Sequence, residues 1–201
     1  GDVYKRQDQE GALSVTQISA LTSTQSSGFT ATEISALTST QLSAFTSTQI
    51  IGLSTSAMAA LSSAQISPLT TTQLTGLTAT QISVWSTTQL VSLSTTQIVS
   101  LTSDQASGFT STQLPALAST QLGAFASTQI IGLTTSGFVG FTSTQIGALT
   151  LSQEAGFTST QISALLVTTQ LAGLTATQIG ALTLNQQAGF TAEQIGALTT
   201  G

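Results

Sequence analysis

The chain has 201 residues, with two basic and seven acidic side chains, no His and no Cys, and a net charge of −5 at pH 7. Nucleic acids and anionic membrane surfaces both attract cationic side chains, so this composition predicts neither as a partner. No apolar run approaches the ~18 residues that cross a membrane; we therefore expect no membrane insertion. The absence of Cys leaves the redox compartment open.

Residues 1–7, GDVYKRQ, differ from the rest of the chain, because they hold both basic residues, Lys5 and Arg6. Read as codons, DVYKRQ matches the end of a transposon-based sequencing adapter. We interpret residues 1–7 as a sequencing-adapter scar, residues 8–12 as a partial lead-in, and residues 13–201 as a single octapeptide-repeat solenoid. On this interpretation the chain is a metagenomic fragment of a longer array.

Gln recurs every eight residues from Gln17 to Gln194, with one extra residue around 163–165. Three octads carry another residue at the Gln position: Glu33, Ala57 and Gly137. The residue after Gln alternates between a class that is nearly always Ile and a class that varies widely. This alternation predicts a 16-residue unit in which two octads with different environments form one coil of a solenoid.

Each octad carries the signals of a helix N-terminus, as residues 37–42 illustrate. Thr38 and Gln41 form a capping box, in which the Thr hydroxyl accepts from the Gln amide and the Gln side chain accepts from the Thr amide. Leu37 and Leu42 flank the box as a hydrophobic staple. The N-cap is Ser or Thr in every octad except at three positions: Ala118, Ala126 and Val167.

The fold class predicted from these signals is all-α, a solenoid of very short capped helices. Leu42 and Phe45 are three residues apart, which places them on one helical face. Helices of two turns or fewer are marginal alone, so stacking must stabilise them, with small residues before each Leu or Phe allowing close approach. Pro68 and Pro115 predict two helices of a single turn. The alternative is a β-solenoid with 16-residue coils, since Thr-x-Thr sequences favour strands.

We find no candidate catalytic, cofactor-binding or metal-ligating residues in the sequence. The abundant hydroxyls have no His, Lys or Cys to activate them, and we expect the neighbouring carboxylates Asp8 and Glu10 to lie in a frayed end. Glu154 occupies a usually apolar position, and we expect it at a solvated edge of the repeat. Met58 is expected to fill a gap in the core, and Trp85 to serve as a larger staple.

Octads of the LTSTQISAL type, seen as FTSTQISAL at residues 157–165, resemble the Thr/Gln-rich octapeptide-repeat arrays of large bacterial surface or secreted proteins. Those proteins are described as adhesin-like or as haem-utilisation proteins. The resemblance spans residues 13–200 and implies an extracellular or cell-surface location. Haem binding is not carried over, because residues 8–201 contain no His, Cys or Tyr to act as an axial ligand.

The predicted function is therefore that of a structural spacer, stalk or adhesin-like repeat segment of a bacterial extracellular protein, without catalysis and without a cofactor. A partner would be at most a protein or glycan surface, and self-association is compatible with the repeat. The alternative function is a threonine-array binding surface for ice or for a polymer, on a β-solenoid. The two differ in whether the threonine hydroxyls bond to the backbone or face outward as a flat array.

Overall fold

The computed structural model describes residues 13–199, so the predictions for residues 1–7 and 8–12 lie outside the described part of the chain. Within residues 13–199 every regular element is a helix and there is no strand. The all-α solenoid of short capped helices is thus confirmed, and the alternative β-solenoid is wrong for these residues. The chain divides into two compact units, residues 1–100 and residues 101–201.

Unit 1 contains eleven α-helices in its described residues, each of four to six residues. They are α1 (Val15–Ser19), α2 (Ser23–Ser26), α3 (Ala31–Ala36), α4 (Ser39–Leu42), α5 (Ser47–Ile50), α6 (Thr55–Ala60), α7 (Ser63–Ile66), α8 (Thr71–Leu74), α9 (Ala79–Ser83), α10 (Thr87–Val91) and α11 (Thr95–Ser100).

Unit 2 has the same organisation, with two short 3₁₀ helices, η1 and η2, in place of two α-helices. Its elements are α12 (Ser103–Ala106), η1 (Leu114–Ala116), α13 (Ser119–Gly123), α14 (Ser127–Gly132), α15 (Thr135–Phe138), α16 (Ser143–Ala148), α17 (Leu151–Glu154), α18 (Ser159–Ala164), η2 (Leu171–Gly173), α19 (Ala176–Ala181), α20 (Leu184–Gln187) and α21 (Ala192–Thr199).

The helices begin at the predicted capping boxes. At α4, the N-cap Thr38 has an extended backbone (φ −69°, ψ 157°), its hydroxyl accepts from Gln41 N at 3.2 Å, and its own amide donates to Gln41 Oε1 at 2.8 Å. The Thr38 hydroxyl also donates to Gln41 Oε1 at 2.9 Å. These bonds pair amides that a helix cannot pair within itself, which is why helices as short as four residues form.

The two octads that contain proline form elements of a single turn, as predicted. Pro68 lies just after α7, which has only four residues, and Pro115 lies within η1. A proline ring removes an amide donor and blocks the continuation of an α-helix beyond its first turn. Both octads nevertheless place their core residue correctly, since Ile66 and Leu114 are fully buried.

Helices stack on the third helix along the chain, so the coil is longer than the two octads predicted from the alternation. Close packing joins α3 to α6, α2 to α5 and α12 to α14, where η1 occupies the octad between α12 and α13. Side-chain hydrogen bonds between coils span 28 and 31 residues. Stacked helices such as α3 and α6 begin 24 residues apart, so one coil contains at least three octads. The 16-residue unit is therefore a period of the sequence, not one coil of the solenoid.

The core of each unit is built from the two apolar positions of the octad. In unit 1, Leu42, Phe45, Ile50 and Leu53 are all buried and line the same small apolar gap. The two alternating classes are represented here by Leu42 and Ile50, and both are inside. The nearly invariant Ile class and the variable class are therefore both buried here. This differs from the prediction that successive octads have different environments.

Small residues before each Leu or Phe allow coils to approach closely, as predicted. A Cβ added at Gly76 would overlap the backbone of Ser47, which lies in the coil below. The same overlap occurs between Gly156 and the backbone of Ser127 in unit 2. Because these glycines have ordinary negative φ, the requirement comes from space and not from backbone conformation.

Candidate functional site: the glutamine ladder

The most extensive arrangement of polar side chains in both units is a series of glutamines, all buried except the half-buried Gln145, that joins one coil to the next. We call it the glutamine ladder. In each member the side-chain nitrogen donates to two or more backbone carbonyls of the preceding coil. Its members include Gln49, Gln65, Gln73, Gln81, Gln89 and Gln97 in unit 1, and Gln145, Gln153, Gln161, Gln170, Gln178, Gln186 and Gln194 in unit 2.

Gln161 illustrates the geometry of one member. Its Nε2 donates to the carbonyls of Ile130 and Leu133 at 2.9 and 2.8 Å. Its Oε1 accepts from the backbone amide of Thr158 at 2.9 Å. The side chain is 1% exposed, so an amide paired at both ends is buried at little cost. One Gln therefore caps its own helix and fastens that helix to the coil below.

The inter-coil part of this role was missed from the sequence, although a signal was present. A capping box accepts Glu as well as Gln, and an acid in the first turn is favoured by the helix dipole. Nevertheless, the octads of this chain place Glu at this position only at Glu33. The Gln side chain differs from Glu in its NH₂ donor. That donor is the group that bonds to the neighbouring coil.

Two octads that lack Gln use small residues instead. Ala57 is fully buried, and its backbone amide donates to the hydroxyl of Ser54 at 3.1 Å. A Cβ added at Gly137 would overlap the carbonyl oxygen of Phe109. At Gly137, direct approach of the two backbones thus replaces the side-chain bridge.

The octads without a capping hydroxyl keep the other half of the box. The amides of Ala118 and Ala126 donate to the Oε1 atoms of Gln121 and Gln129 at 3.1 and 2.8 Å. Both helices, α13 and α14, still form. The hydroxyl therefore adds to helix initiation but is not required for it.

The octad with the extra residue departs further from the pattern. The amide of Leu166, and not that of Val167, donates to Gln170 Oε1 at 3.0 Å, and the helix that follows has Gln170 as its N-cap. Here the chain forms a turn and then η2, not an α-helix. A surface cleft of about 340 Å³ opens beside Leu166, with Thr168, Thr191 and Glu193 on its walls. Leu166 is 54% exposed, so the extra residue leaves apolar surface open to solvent.

Glu154 is buried, so its predicted position at a solvated edge is wrong. It is the last residue of α17 and only 2% exposed, and neither carboxyl oxygen has a hydrogen-bond partner. Desolvation by burial raises the pKa of the Glu154 carboxyl from 4.5 to about 7. The prediction failed because this position also faces the core in other octads of the same class, as at Leu122 and Phe138.

Of the other residues singled out from the sequence, Asp8 and Glu10 lie outside the described residues. Met58 and Trp85 are 1% and 3% exposed, in agreement with their assignment as a gap-filler and a large staple. The described residues include no group of three or more His, Cys, Asp or Glu that is placed to hold a metal ion.

The threonines at the helix starts direct their hydroxyls to the chain itself. Thr70 Oγ1, for example, accepts from Gln73 N at 3.2 Å and donates to Gln73 Oε1 at 3.1 Å. An ice-binding surface requires hydroxyls held free in a flat array. The N-cap hydroxyls are instead used in the capping boxes.

Comparison with models of known families, with curated proteins and with solved structures gives no match for this chain. Among residues 13–199, no helix combines the length and the apolar character that a membrane crossing requires.

Proposed function

We propose that this chain is a structural repeat segment, a spacer or stalk of a bacterial extracellular protein, and that it does not catalyse a reaction. The proposal draws on the resemblance of its octads to the Thr/Gln-rich arrays of large bacterial surface and secreted proteins. On this proposal the repeat separates other parts of a larger protein, and any adhesive contact is secondary.

The observation that carries the proposal is that the Thr and Gln side chains at the helix starts form hydrogen bonds with the backbone of the chain itself. In the octad of Gln81, Oε1 accepts from the amide of Thr78, and Nε2 donates to the carbonyls of Ile50 and Leu53, both at 2.8 Å. The Thr78 hydroxyl accepts from Gln81 N. These side chains are therefore occupied in holding each helix to its neighbours. Such nearest-neighbour stabilisation is what allows a repeat to be lengthened without a new core.

The composition of the chain supports the same proposal. Only 4% of its residues are charged, and residues 8–201 carry no Lys, Arg or His. General acid–base catalysis depends on titratable groups near the reacting atoms, and the acidic residues within residues 13–199 (Glu33, Asp104, Glu154 and Glu193) are far apart in the sequence. The repeat therefore offers little chemistry beyond its own assembly.

The test is to change the number of octads and measure the distance between the ends. A series of chains would contain residues 30–93, which are eight octads, once, twice or three times, with a donor and an acceptor fluorophore at the two termini. For a spacer, each added copy should increase the distance by the same increment. A distance that grows as the square root of the length would indicate a flexible linker, and an unchanged distance would indicate a collapsed particle. Either result would overturn the proposal.

A further inference from the structure

Glu154 is the one acidic residue of the described chain that lies in the core, and its surroundings contain nothing to neutralise it. Its position in the octad is that of Leu122 and Phe138, which are likewise buried. Both carboxyl oxygens are enclosed and make no hydrogen bond. A buried carboxylate without a partner is strongly disfavoured relative to the neutral acid.

The backbone around Glu154 is held from both sides. The carbonyl of Glu154 accepts from Phe157 N at 2.8 Å and from Gln186 Nε2 at 2.9 Å. One residue earlier, Gln153 Nε2 donates to the carbonyls of Leu122 and Phe125 at 2.8 and 3.0 Å. The backbone that carries this side chain is therefore bonded to the coils on both sides.

No charged group faces Glu154 from the helices that surround it. The helices packed against α17 are α14 and α19, and the helices next to it in the chain are α16 and α18. The bonds to Gln186 bring in α20, and the edge-to-face pair of Phe138 and Phe157, with ring centroids 4.9 Å apart, brings in α15. None of these six helices contains an Asp, Glu, Lys, Arg, His or Tyr. The other acids of unit 2, Asp104 and Glu193, are exposed and lie on α12 and α21.

We propose that Glu154 is a proton-operated switch, which keeps the coils around α17 closed while its carboxyl is protonated and loosens them when the carboxyl ionises. In the closed form the neutral acid occupies a core position like a polar isostere of Leu. In the ionised form the carboxylate must reach water, and doing so breaks the ladder bonds of Gln153 and Gln186. The packing of the coils around α17 in unit 2 thus becomes less stable when the pH rises.

The direction of the pH response follows from the raised pKa. The folded chain holds the proton of Glu154 up to a pH of about 7, whereas an exposed carboxyl releases it at its ordinary pKa of 4.5. The stabilising effect is therefore fully present below pH 4.5, decreases as the pH rises towards 7, and stays at its lower level above that. This trend is opposite to that of a carboxylate engaged in an ion pair.

The chain provides its own matched control. Residues 147–157 and 180–190 differ at only two positions, Ser152 against Asn185 and Glu154 against Gln187. Gln187 is exposed, and its Nε2 donates to the carbonyl of Leu182 at 2.9 Å. The same local sequence thus carries a neutral amide at the corresponding position. Gln187→Glu would introduce a carboxylate outside the core.

The test measures two properties of the full chain: the opening of the coils around α17 and the titration of the Glu154 carboxyl. Amide hydrogen exchange of residues 150–165, corrected for the intrinsic effect of pH, should give an opening constant that is on the order of 70-fold larger at pH 8 than at pH 5. In Glu154→Gln this ratio should be about one, and in Gln187→Glu it should match the parent chain. If Glu154→Gln does not fold, Glu154→Leu serves instead, since Leu122 shows that Leu fits this position.

A second readout follows the carboxyl group directly. With the glutamate side chains labelled with ¹³C, the carboxyl resonance that disappears in Glu154→Gln should titrate near pH 7. A midpoint near pH 4.5 would overturn the proposal, because the carboxyl would then be solvated. The same pH dependence of opening in the parent chain and in Glu154→Gln would overturn it as well, because another group would then be responsible.

Discussion

In unit 1, residues 70–77 form a regular octad with a capped helix, whereas in unit 2 residues 166–174 contain one extra residue and lack a capping hydroxyl. At the start of the regular octad, Thr70 Oγ1 accepts from Gln73 N at 3.2 Å. At the start of the irregular stretch only a backbone amide, that of Leu166, reaches the ladder side chain. The regular octad forms an α-helix, and the irregular one forms a turn and a 3₁₀ helix.

The contacts between coils survive this change. Gln170 Nε2 still donates to the carbonyl of Phe141 at 2.9 Å, Leu171 is 2% exposed, and Gly173 still packs on the backbone of Ser143. Beyond the extra residue the ladder bonds span 29 and 32 residues in place of 28 and 31. Each glutamine therefore still bonds to the carbonyls at the same two positions of the octad in the preceding coil. The comparison indicates that the cap acts locally, while the ladder, the core residue and the close approach hold the coils together.

The largest effect is expected from removing the donor of a ladder glutamine. Gln73→Glu keeps the acceptor for the Thr70 amide but removes the NH₂ group that bonds to Leu42 and Phe45. The free energy of unfolding should fall by about 2–4 kcal/mol, because two buried carbonyls lose this donor and face a carboxylate. Urea denaturation followed by circular dichroism measures the change.

The matched control for this substitution is Gln25→Glu. Gln25 occupies the same place in its octad and makes the same capping bonds, but its side chain is exposed and no described residue accepts from its NH₂ group. The substitution should leave stability unchanged within about 0.5 kcal/mol. Equal losses in the two variants would show that the capping box, and not the inter-coil bond, explains the requirement for Gln.

A smaller loss is expected from filling the space between coils. Gly76→Ala places a Cβ against the carbonyl of Ser47 and should cost about 1–3 kcal/mol, since the coils must separate to accept it. Gly180→Ala is the control, because a Cβ at Gly180 meets nothing within 4 Å. It should instead stabilise α19 by about 0.5–1 kcal/mol. Thermal melts of the two variants should therefore shift in opposite directions.

A loss of about 1 kcal/mol is expected from Thr70→Ala, because one helical amide loses its capping hydroxyl. Ala118→Thr should give a gain of similar size in unit 2, where the hydroxyl is naturally missing and the backbone half of the box is intact. Circular dichroism at 222 nm and the urea midpoint report both changes. Unchanged helicity in Thr70→Ala would contradict the role assigned to the threonines.

The smallest effect is expected from repairing the irregular stretch. Deleting Leu166 and making Val167→Thr creates the sequence LTTTQL, which occurs naturally at residues 69–74. The repaired octad should form a capped helix and gain up to about 1 kcal/mol, while exposing less apolar surface. Slower amide exchange at residues 165–174 would be the direct sign. Unchanged amide exchange would show that the bond from the Leu166 amide to Gln170 already stabilises this octad as well as a capping hydroxyl would.

Most local features of the fold were predictable from residues close together in the sequence. The capping box joins residues three apart, as Thr38 and Gln41 show, and it needs no information about the rest of the chain. The burial of Leu37 and Leu42 followed from the same octad pattern, and the shortening at Pro115 followed from the proline ring. Each depends on bonds or contacts within one octad.

The placement of Glu154 was not predictable in the same way. From the sequence, a carboxylate among variable residues indicated an exposed position, because charged side chains are rarely buried unpaired. Gln187 follows that expectation and is exposed, although its flanking sequence is almost the same. Packing against neighbouring coils, and not the local sequence, distinguishes the two.

The sequence by itself determined that this chain is a solenoid of capped helices, because each octad contains the donors and acceptors that begin a helix. Only the tertiary structure decided that each helix stacks on the third helix along the chain and that the glutamine nitrogens bond to the carbonyls of the coil below. The physical reason is the range of the interactions. Bonds across three residues are encoded in every octad, whereas bonds across 28 and 31 residues depend on the rotation between successive helices.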